Sequence, residues 1–139
     1  MKVIPYKQTT SLSCLPACLL MCFKSQTGID FSKTEEQNLL FKGLQFTPNI
    51  YHIGIVNEFV KKYRQSLKVW VDSKYFSKVL TDLSISPRLK IEFGKINSFF
   101  IKQMLETEKP FIAYLDMFYL RNSIHSPHFV IIEGKRKER

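Results

Sequence analysis

The sequence predicts an α+β fold, with helices from its first half packed on a mostly antiparallel sheet from its second half. Helical patterns dominate up to Tyr63, and alternating segments rich in β-branched and aromatic residues begin at Leu67. Separation of helices from strands along a chain is typical of α+β folds. The 139 residues, 45% of them apolar, suffice for a single domain, 1–139, in which 135–139 is expected to form a basic tail.

The first predicted helix runs from about Cys14 to about Gln26. Pro16 lies in its first turn, where a missing N–H costs nothing, and Gly28 follows its end. Leucine, methionine and phenylalanine side chains make the helix apolar on most sides. This pattern predicts a buried, central helix.

Two more helices are expected before the strands. Ser32-Lys33-Thr34-Glu35 is a capping-box pattern that opens a helix to about Lys42, closed by Gly43. A third helix is expected from about Asn49 to Tyr63, with an inner apolar stripe formed by Ile50, Ile53, Val56 and Val60.

The second half of the chain is predicted to alternate between strands and short helices. The expected strands are 67–72, 89–93, 110–115 and 128–133. A short helix is expected over 75–83, and another runs from an Asn97 cap to about Glu106.

Charge is the first unusual feature of the composition. There are 21 lysines and arginines against 12 acidic residues, which gives a net charge of +9. A basic surplus is typical of nucleic-acid-binding proteins, because phosphate neutralisation supplies most non-specific affinity. The charge is diffuse apart from the tail and the group Lys61, Lys62 and Arg64, and no nucleic-acid-binding motif is present. Nucleic acid is therefore a possible partner but not the favoured one.

The three cysteines all lie close together, at Cys14, Cys18 and Cys22. Spacing of four residues on a helix places them on one stripe, where neighbouring thiols make poor disulfides. This spacing does not match structural zinc sites, so we expect free thiols and no metal. Neither a membrane-spanning apolar run nor a signal pattern is present, and a reducing, cytoplasmic location is the expectation.

Cys14 is the candidate nucleophile. It falls at the predicted start of a buried helix, where unpaired backbone N–H groups and the helix dipole favour a thiolate. Cys18 and Cys22 lie one and two turns further along and are expected to be core residues.

A nucleophilic cysteine needs a general base, which is usually a histidine. Of the three histidines, His52 lies within a predicted helix and is expected to have a packing or surface role. His125 and His128 flank the start of the last strand, and the ring of His128 is predicted to project toward a helix packed on the sheet. Gln8, in the polar loop before Cys14, could donate a side-chain N–H to an oxyanion, together with the Cys14 backbone N–H.

These residues resemble the C39-type peptidases, papain-like domains that process leader peptides in bacteriocin-exporting transporters. The opening motif of the family is similar to Gln8 and the segment of this chain that starts six residues later. That segment is Cys14-Leu15-Pro16-Ala17-Cys18-Leu19-Leu20-Met21. The family's late motif is similar to the segment His128-Phe129-Val130-Ile131-Ile132-Glu133-Gly134 of this chain. The middle of the family's domain resembles Thr47-Pro48 and the segments 50–63 and 68–71. The resemblance implies a papain-like fold with Cys14 as nucleophile, His128 as general base and Gln8 as oxyanion donor.

Two features depart from the family pattern. The family usually has glycine after its cysteine, and Leu15 is expected to narrow the cleft. The family also places Asp or Asn after its histidine, whereas the residues after His128 contain neither. Glu133 is expected on the opposite face of the strand, and Asp116 and Asn122 would need an unusual loop to reach the imidazole. A dyad enzyme, a chain cut short of its last strands and an inactive relative all remain open.

The leading functional hypothesis is therefore a cysteine peptidase or related amide hydrolase, whose chemistry requires no cofactor. Its substrate is a peptide or protein, with a leader-like peptide among the candidates. The first alternative is a catalytically weak or inactive peptide-binding module on the same fold. The second is a basic nucleic-acid-binding protein.

Overall fold

The computed structural model describes residues 2–46, 51–73, 76, 80, 83–116 and 127–134. Its helices are α1 (Cys14–Thr27), α2 (Lys33–Phe46), α3 (Tyr51–Tyr63) and α4 (Ser98–Glu106). Its strands are β1 (Leu67–Val71), β2 (Leu89–Phe93), β3 (Phe111–Asp116) and β4 (Pro127–Ile132). The prediction of an α+β fold is confirmed. Several residues named above lie outside the described part: Thr47, Pro48, Asn49, Ile50, Asn122, His125 and the tail 135–139.

Helix α1 begins and ends close to where the sequence predicts. Cys14 is its first residue, and Gly28 follows its last with a left-handed φ of 73°. The Gly28 N–H donates to the Lys24 carbonyl at 2.8 Å, which satisfies one of the last carbonyls of the helix. Glycine suits this position because a Cβ would strain a positive φ.

The capping box of α2 also forms. The Ser32 N–H donates to Glu35 Oε2 at 2.7 Å, and the Glu35 N–H donates to Ser32 Oγ at 3.3 Å. The predicted end at Gly43 is wrong, because α2 continues through this residue to Phe46.

Gly43 is buried at a close crossing of α2 and α3. A Cβ at Gly54 of α3 would lie 2.5 Å from the Gly43 carbonyl oxygen, and a Cβ at Gly43 would overlap the side chain of Ile55. The glycine therefore lets two helix backbones approach each other, and α2 does not end there.

The core is formed by the first three helices together with Leu89 of β2. Phe23, Phe59 and Tyr63 pack their rings together, with centroids 4.8–6.1 Å apart. The buried members of this cluster are Leu15, Leu19, Leu20, Phe23, Leu39, Ile55, Val56, Phe59, Val60 and Leu89. As predicted, the buried stripe of α3 includes Ile53, Val56 and Val60.

The described strands form two pairs of different kinds. β3 and β4 are antiparallel, as expected, but β1 and β2 are parallel. The expectation of a mostly antiparallel sheet is therefore not met at β1–β2. The connection 72–88 is long enough for the crossover that parallel strands need. Most of the helix predicted over 75–83 lies outside the described residues, although Phe76 and Leu80 are helical and Leu80 is buried.

Helix α4 lies between these strand pairs in the sequence. The predicted cap is confirmed, since the Asn97 side chain accepts a hydrogen bond from the Phe100 N–H at 3.0 Å. Phe100 packs edge-on against Trp70 of β1, with ring centroids 5.0 Å apart.

Candidate functional site

Cys14 is the first residue of α1 and its thiol is half-buried. The preceding Ser13 makes no side-chain capping bond to the helix. Its hydroxyl instead donates to the Thr10 carbonyl and accepts from the Thr10 N–H, each at 3.1 Å. The first turn of α1 therefore keeps N–H groups that the Ser13 hydroxyl does not use, and such groups favour an anion at this end of the helix.

The other two thiols have a different environment. Burial, with smaller contributions from the neighbouring Cys14 and Cys22, raises the pKa of Cys18 to about 12. Burial also raises the pKa of Cys22 to about 11, although this residue is half-buried rather than fully in the core as expected. Both groups are therefore thiols at neutral pH.

Helix α1 packs directly against β4, the strand that contains His128. The Cys18 thiol donates to the Phe129 carbonyl at 3.6 Å, one helical turn after Cys14. Strand carbonyls lie in the plane of the sheet, so α1 meets β4 along its edge. The His128 side chain is half-buried. The Phe129 ring is on the face of β4 that packs against the helical core. Because alternate residues of a strand face opposite sides, His128 lies on the other face, and the expectation that its ring projects toward a helix packed on the sheet is not met on the Phe129 side.

Gln8 lies in the loop that leads into α1. Its side-chain Nε2 donates to the Thr10 carbonyl at 2.7 Å. A primary amide has two N–H donors, so this bond leaves one for another acceptor. The same Thr10 carbonyl accepts from the Ser13 hydroxyl and, at 3.4 Å, from the Ser13 N–H, which links the Gln8 loop to the residue before Cys14.

A fourth residue of this region, Glu36 of α2, was missed by the sequence analysis. Its carboxylate is completely buried. Oε2 accepts from the Tyr6 hydroxyl at 2.6 Å, and Oε1 accepts from the Thr9 N–H at 2.8 Å and the Thr9 hydroxyl at 3.2 Å. Burial, together with the hydrogen bond to Glu36 and its charge, raises the pKa of Tyr6 to about 12. A signal was present: Glu36 falls in helical register with Leu39 and Gly43, the other buried residues of α2.

His52 packs among aromatic rings, in agreement with the prediction of a packing role. Its ring centroid lies 4.0 Å from that of Tyr51, 5.0 Å from Phe129 and 5.7 Å from Tyr114. Burial lowers the pKa of His52, so it is neutral at physiological pH.

The candidates for an orienting acid differ from one another in their positions. The Glu133 carboxylate accepts a hydrogen bond from the Val3 N–H at 3.0 Å and so holds the N-terminal segment at the end of β4. The β3–β4 register pairs Leu115 with His128 and Asp116 with Pro127. The Asp116 backbone therefore lies beside β4, one residue pair away from His128.

Leu15 does not occupy the surface beside Cys14 in the way the sequence suggested. It is buried in the core cluster formed by the helices, which accommodates its bulk. The side chain that follows Cys14 therefore contributes to the core.

Further findings bear on metals and membranes. Within the described ranges, no group of three or more His, Cys, Asp or Glu side chains is placed to hold a metal ion. None of the helices found in the described part of the chain has both the length and the apolar character needed to cross a membrane. Comparison of the chain with protein-family models, with curated proteins and with solved structures finds no match.

Proposed function

We propose that this chain is a small papain-like, C39-like cysteine peptidase or a related amide hydrolase. The observation that carries the proposal is the direct packing of α1, which begins at Cys14, against β4, which contains His128. The proposed nucleophile and general base come from distant parts of the sequence, and the packing of the two elements that contain them supports the proposal.

The chemistry follows from the residues at this location. His128 takes the proton of the Cys14 thiol, and the thiolate attacks the carbonyl carbon of a peptide bond. The resulting oxyanion accepts hydrogen bonds from the Cys14 N–H and the second N–H of Gln8. His128 gives its proton to the leaving amine as the C–N bond breaks. Water, deprotonated by His128, then hydrolyses the thioester and returns Cys14 to its starting state. The substrate is a peptide or protein, and a reducing compartment such as the cytoplasm keeps the thiol active.

The first test is the selectivity of alkylation. At pH 7.5 we expect iodoacetamide to modify Cys14 at least ~10-fold faster than Cys18 or Cys22, because the raised pKa values leave only about one thiolate in 10³ or fewer at those two positions. Peptide mapping by mass spectrometry of the folded chain measures the three rates. Labelling of Cys14 only after unfolding would refute its role as nucleophile.

The second test is turnover. The full chain is screened against a fluorogenic peptide library, and the best peptide is tested again with Cys14→Ala and with Cys22→Ala. Cys22 is the matched control because it is a half-buried thiol on the same helix stripe. We expect Cys14→Ala to abolish turnover and Cys22→Ala to leave it within about twofold; equal loss in both would contradict the proposal.

Peptide binding without turnover is the second candidate. It is supported by Tyr114 of β3, which is 55% exposed. The ring centroid of Tyr114 lies 4.6 Å from that of Phe129, and the two rings form an aromatic surface on the β3–β4 pair. If the wild-type chain and Cys14→Ala bind the same library peptides equally and neither cleaves them, this candidate replaces the enzyme.

A further inference from the structure

Glu36 is a costly residue to bury. An ionised carboxylate loses its hydration in the interior, and only good hydrogen bonds compensate that loss. Three donors from Tyr6 and Thr9 surround this carboxylate, at 2.6–3.2 Å. The neighbouring buried position Leu39 shows that the same face of α2 also packs with an apolar side chain. Glu36 differs from such a side chain in the hydrogen bonds that it accepts from Tyr6 and Thr9, and their effect is local to those residues.

That effect is on the loop that contains Gln8. Tyr6 and Thr9 lie on either side of Gln8 in the sequence, and both are bonded to the same carboxylate. Beyond Thr9, the Thr10–Ser13 hydrogen bonds continue to the start of α1. Through the peptide bond between Thr9 and Thr10, these hydrogen bonds link a buried group on α2 to the loop of the Gln8 amide and to Ser13, the residue before Cys14.

We propose that Glu36 is a positioning residue for the oxyanion site. It acts through the loop by holding the Gln8 amide at a constant distance from the N-terminus of α1. This inference rests on the proposed function, since it assigns the role of a residue in the same reaction. Small displacements of such donors are enough to lower the rate strongly, because their stabilisation of charge depends on fixed geometry.

The chain offers a matched pair of variants for the test. Tyr6→Phe removes one tyrosine hydrogen bond to Glu36, and Tyr63→Phe removes one to the adjacent Glu35, where the O–O distance is 2.9 Å. Each variant deletes one tyrosine hydroxyl that donates to a carboxylate of α2. Only the first pair contacts the Gln8 loop.

The measurement is kcat and KM on the library peptide that the wild-type chain cleaves best. Gln8→Ala sets the scale, with an expected fall of about 10²-fold in kcat. We expect Tyr6→Phe to lower kcat by about 5–10-fold with KM nearly unchanged, and Tyr63→Phe to leave kcat within about twofold. Glu36→Gln, whose amide can replace several of the hydrogen bonds, should be milder than Glu36→Ala.

A double variant separates positioning from general loss of stability. If Glu36 acts through Gln8, Tyr6→Phe has no further effect on kcat in the Gln8→Ala background. Equal losses in Tyr6→Phe and Tyr63→Phe, or a full Tyr6→Phe effect in the Gln8→Ala background, would overturn the positioning role while leaving the peptidase intact. Absence of any Cys14-dependent turnover in the wild-type chain would instead overturn the proposed function, and the positioning role with it.

Discussion

Two adjacent carboxylates of α2 have the same chemistry but different environments. Glu35 is half-buried, completes the capping box with Ser32 and accepts from the Tyr63 hydroxyl of α3. Glu36 is fully buried and holds Tyr6 and Thr9 of the N-terminal segment. Side chains at successive helix positions point about 100° apart. Two carboxylates one residue apart therefore contact different neighbours. A local motif explains the first carboxylate, and only the fold explains the second.

The two sides of α2 also differ in how they make contact. Toward α3, glycines allow backbone to meet backbone at Gly43 and Gly54. Toward the N-terminal segment, the contact consists instead of hydrogen bonds that the Glu36 side chain accepts. The first contact is sensitive to added volume and the second to lost acceptors.

The largest expected effect is that of Glu36→Ala. Removing the carboxylate leaves the Thr9 N–H and the Tyr6 hydroxyl without their acceptor and opens a small cavity, so we expect the free energy of unfolding to fall by about 3 kcal/mol. Glu35→Ala, its matched control one residue away, should cost about 1 kcal/mol because it removes a cap and a half-exposed hydrogen bond. Urea denaturation of both variants measures the difference, and equal losses would contradict the comparison.

Gly54→Ala should have the next largest effect, a loss of about 2 kcal/mol. Alanine is about 1 kcal/mol better than glycine inside an exposed helix, but here its Cβ would lie 2.5 Å from the Gly43 carbonyl oxygen and force the helices apart. Gly94→Ala is the control, since a Cβ there meets nothing within 4 Å. A Gly54→Ala variant as stable as Gly94→Ala in thermal unfolding would show that α2 and α3 do not approach as closely as described.

The smallest expected effect is the pH dependence contributed by Glu35. Burial tends to raise the pKa of Glu35, but the hydrogen bonds from Ser32 and Tyr63 and the charge of Lys62 outweigh it and hold the pKa below its ordinary value. A lowered folded-state pKa contributes stability above the unfolded value of about 4.3, and this contribution is lost as the pH falls through the folded-state pKa. We therefore expect the stability difference between the wild-type chain and Glu35→Gln to be present at about pH 6 and to disappear in acid. Urea midpoints at several pH values measure it, and a difference that grows toward low pH would have the wrong sign.

Much of the secondary structure could be predicted because its signals are local. The start of α1 at Cys14, its end at Gly28, the capping box of α2 and the Asn97 cap of α4 all depend on hydrogen bonds between residues close in sequence. Such signals act within one helical turn, so the printed sequence contains all of their parts.

The errors concern features that depend on a distant partner. Gly43 has the residue type of a helix end, and only the approach of Gly54 turns it into a helix-crossing position. The parallel direction of β1 and β2 depends on how the connection 72–88 returns, which strand patterning does not encode. The burial of Leu15 likewise depends on contacts with residues of other helices, which the neighbouring sequence does not specify.

The sequence by itself determined the α+β class, the boundaries of most elements and the position of Cys14 at a helix N-terminus, because these follow from short-range patterns of polarity and hydrogen bonding. Only the tertiary structure decided that α1 packs against the strand of His128 and that Glu36 holds the loop of Gln8. Both contacts join residues far apart in the chain, and their formation depends on burial that the whole fold provides.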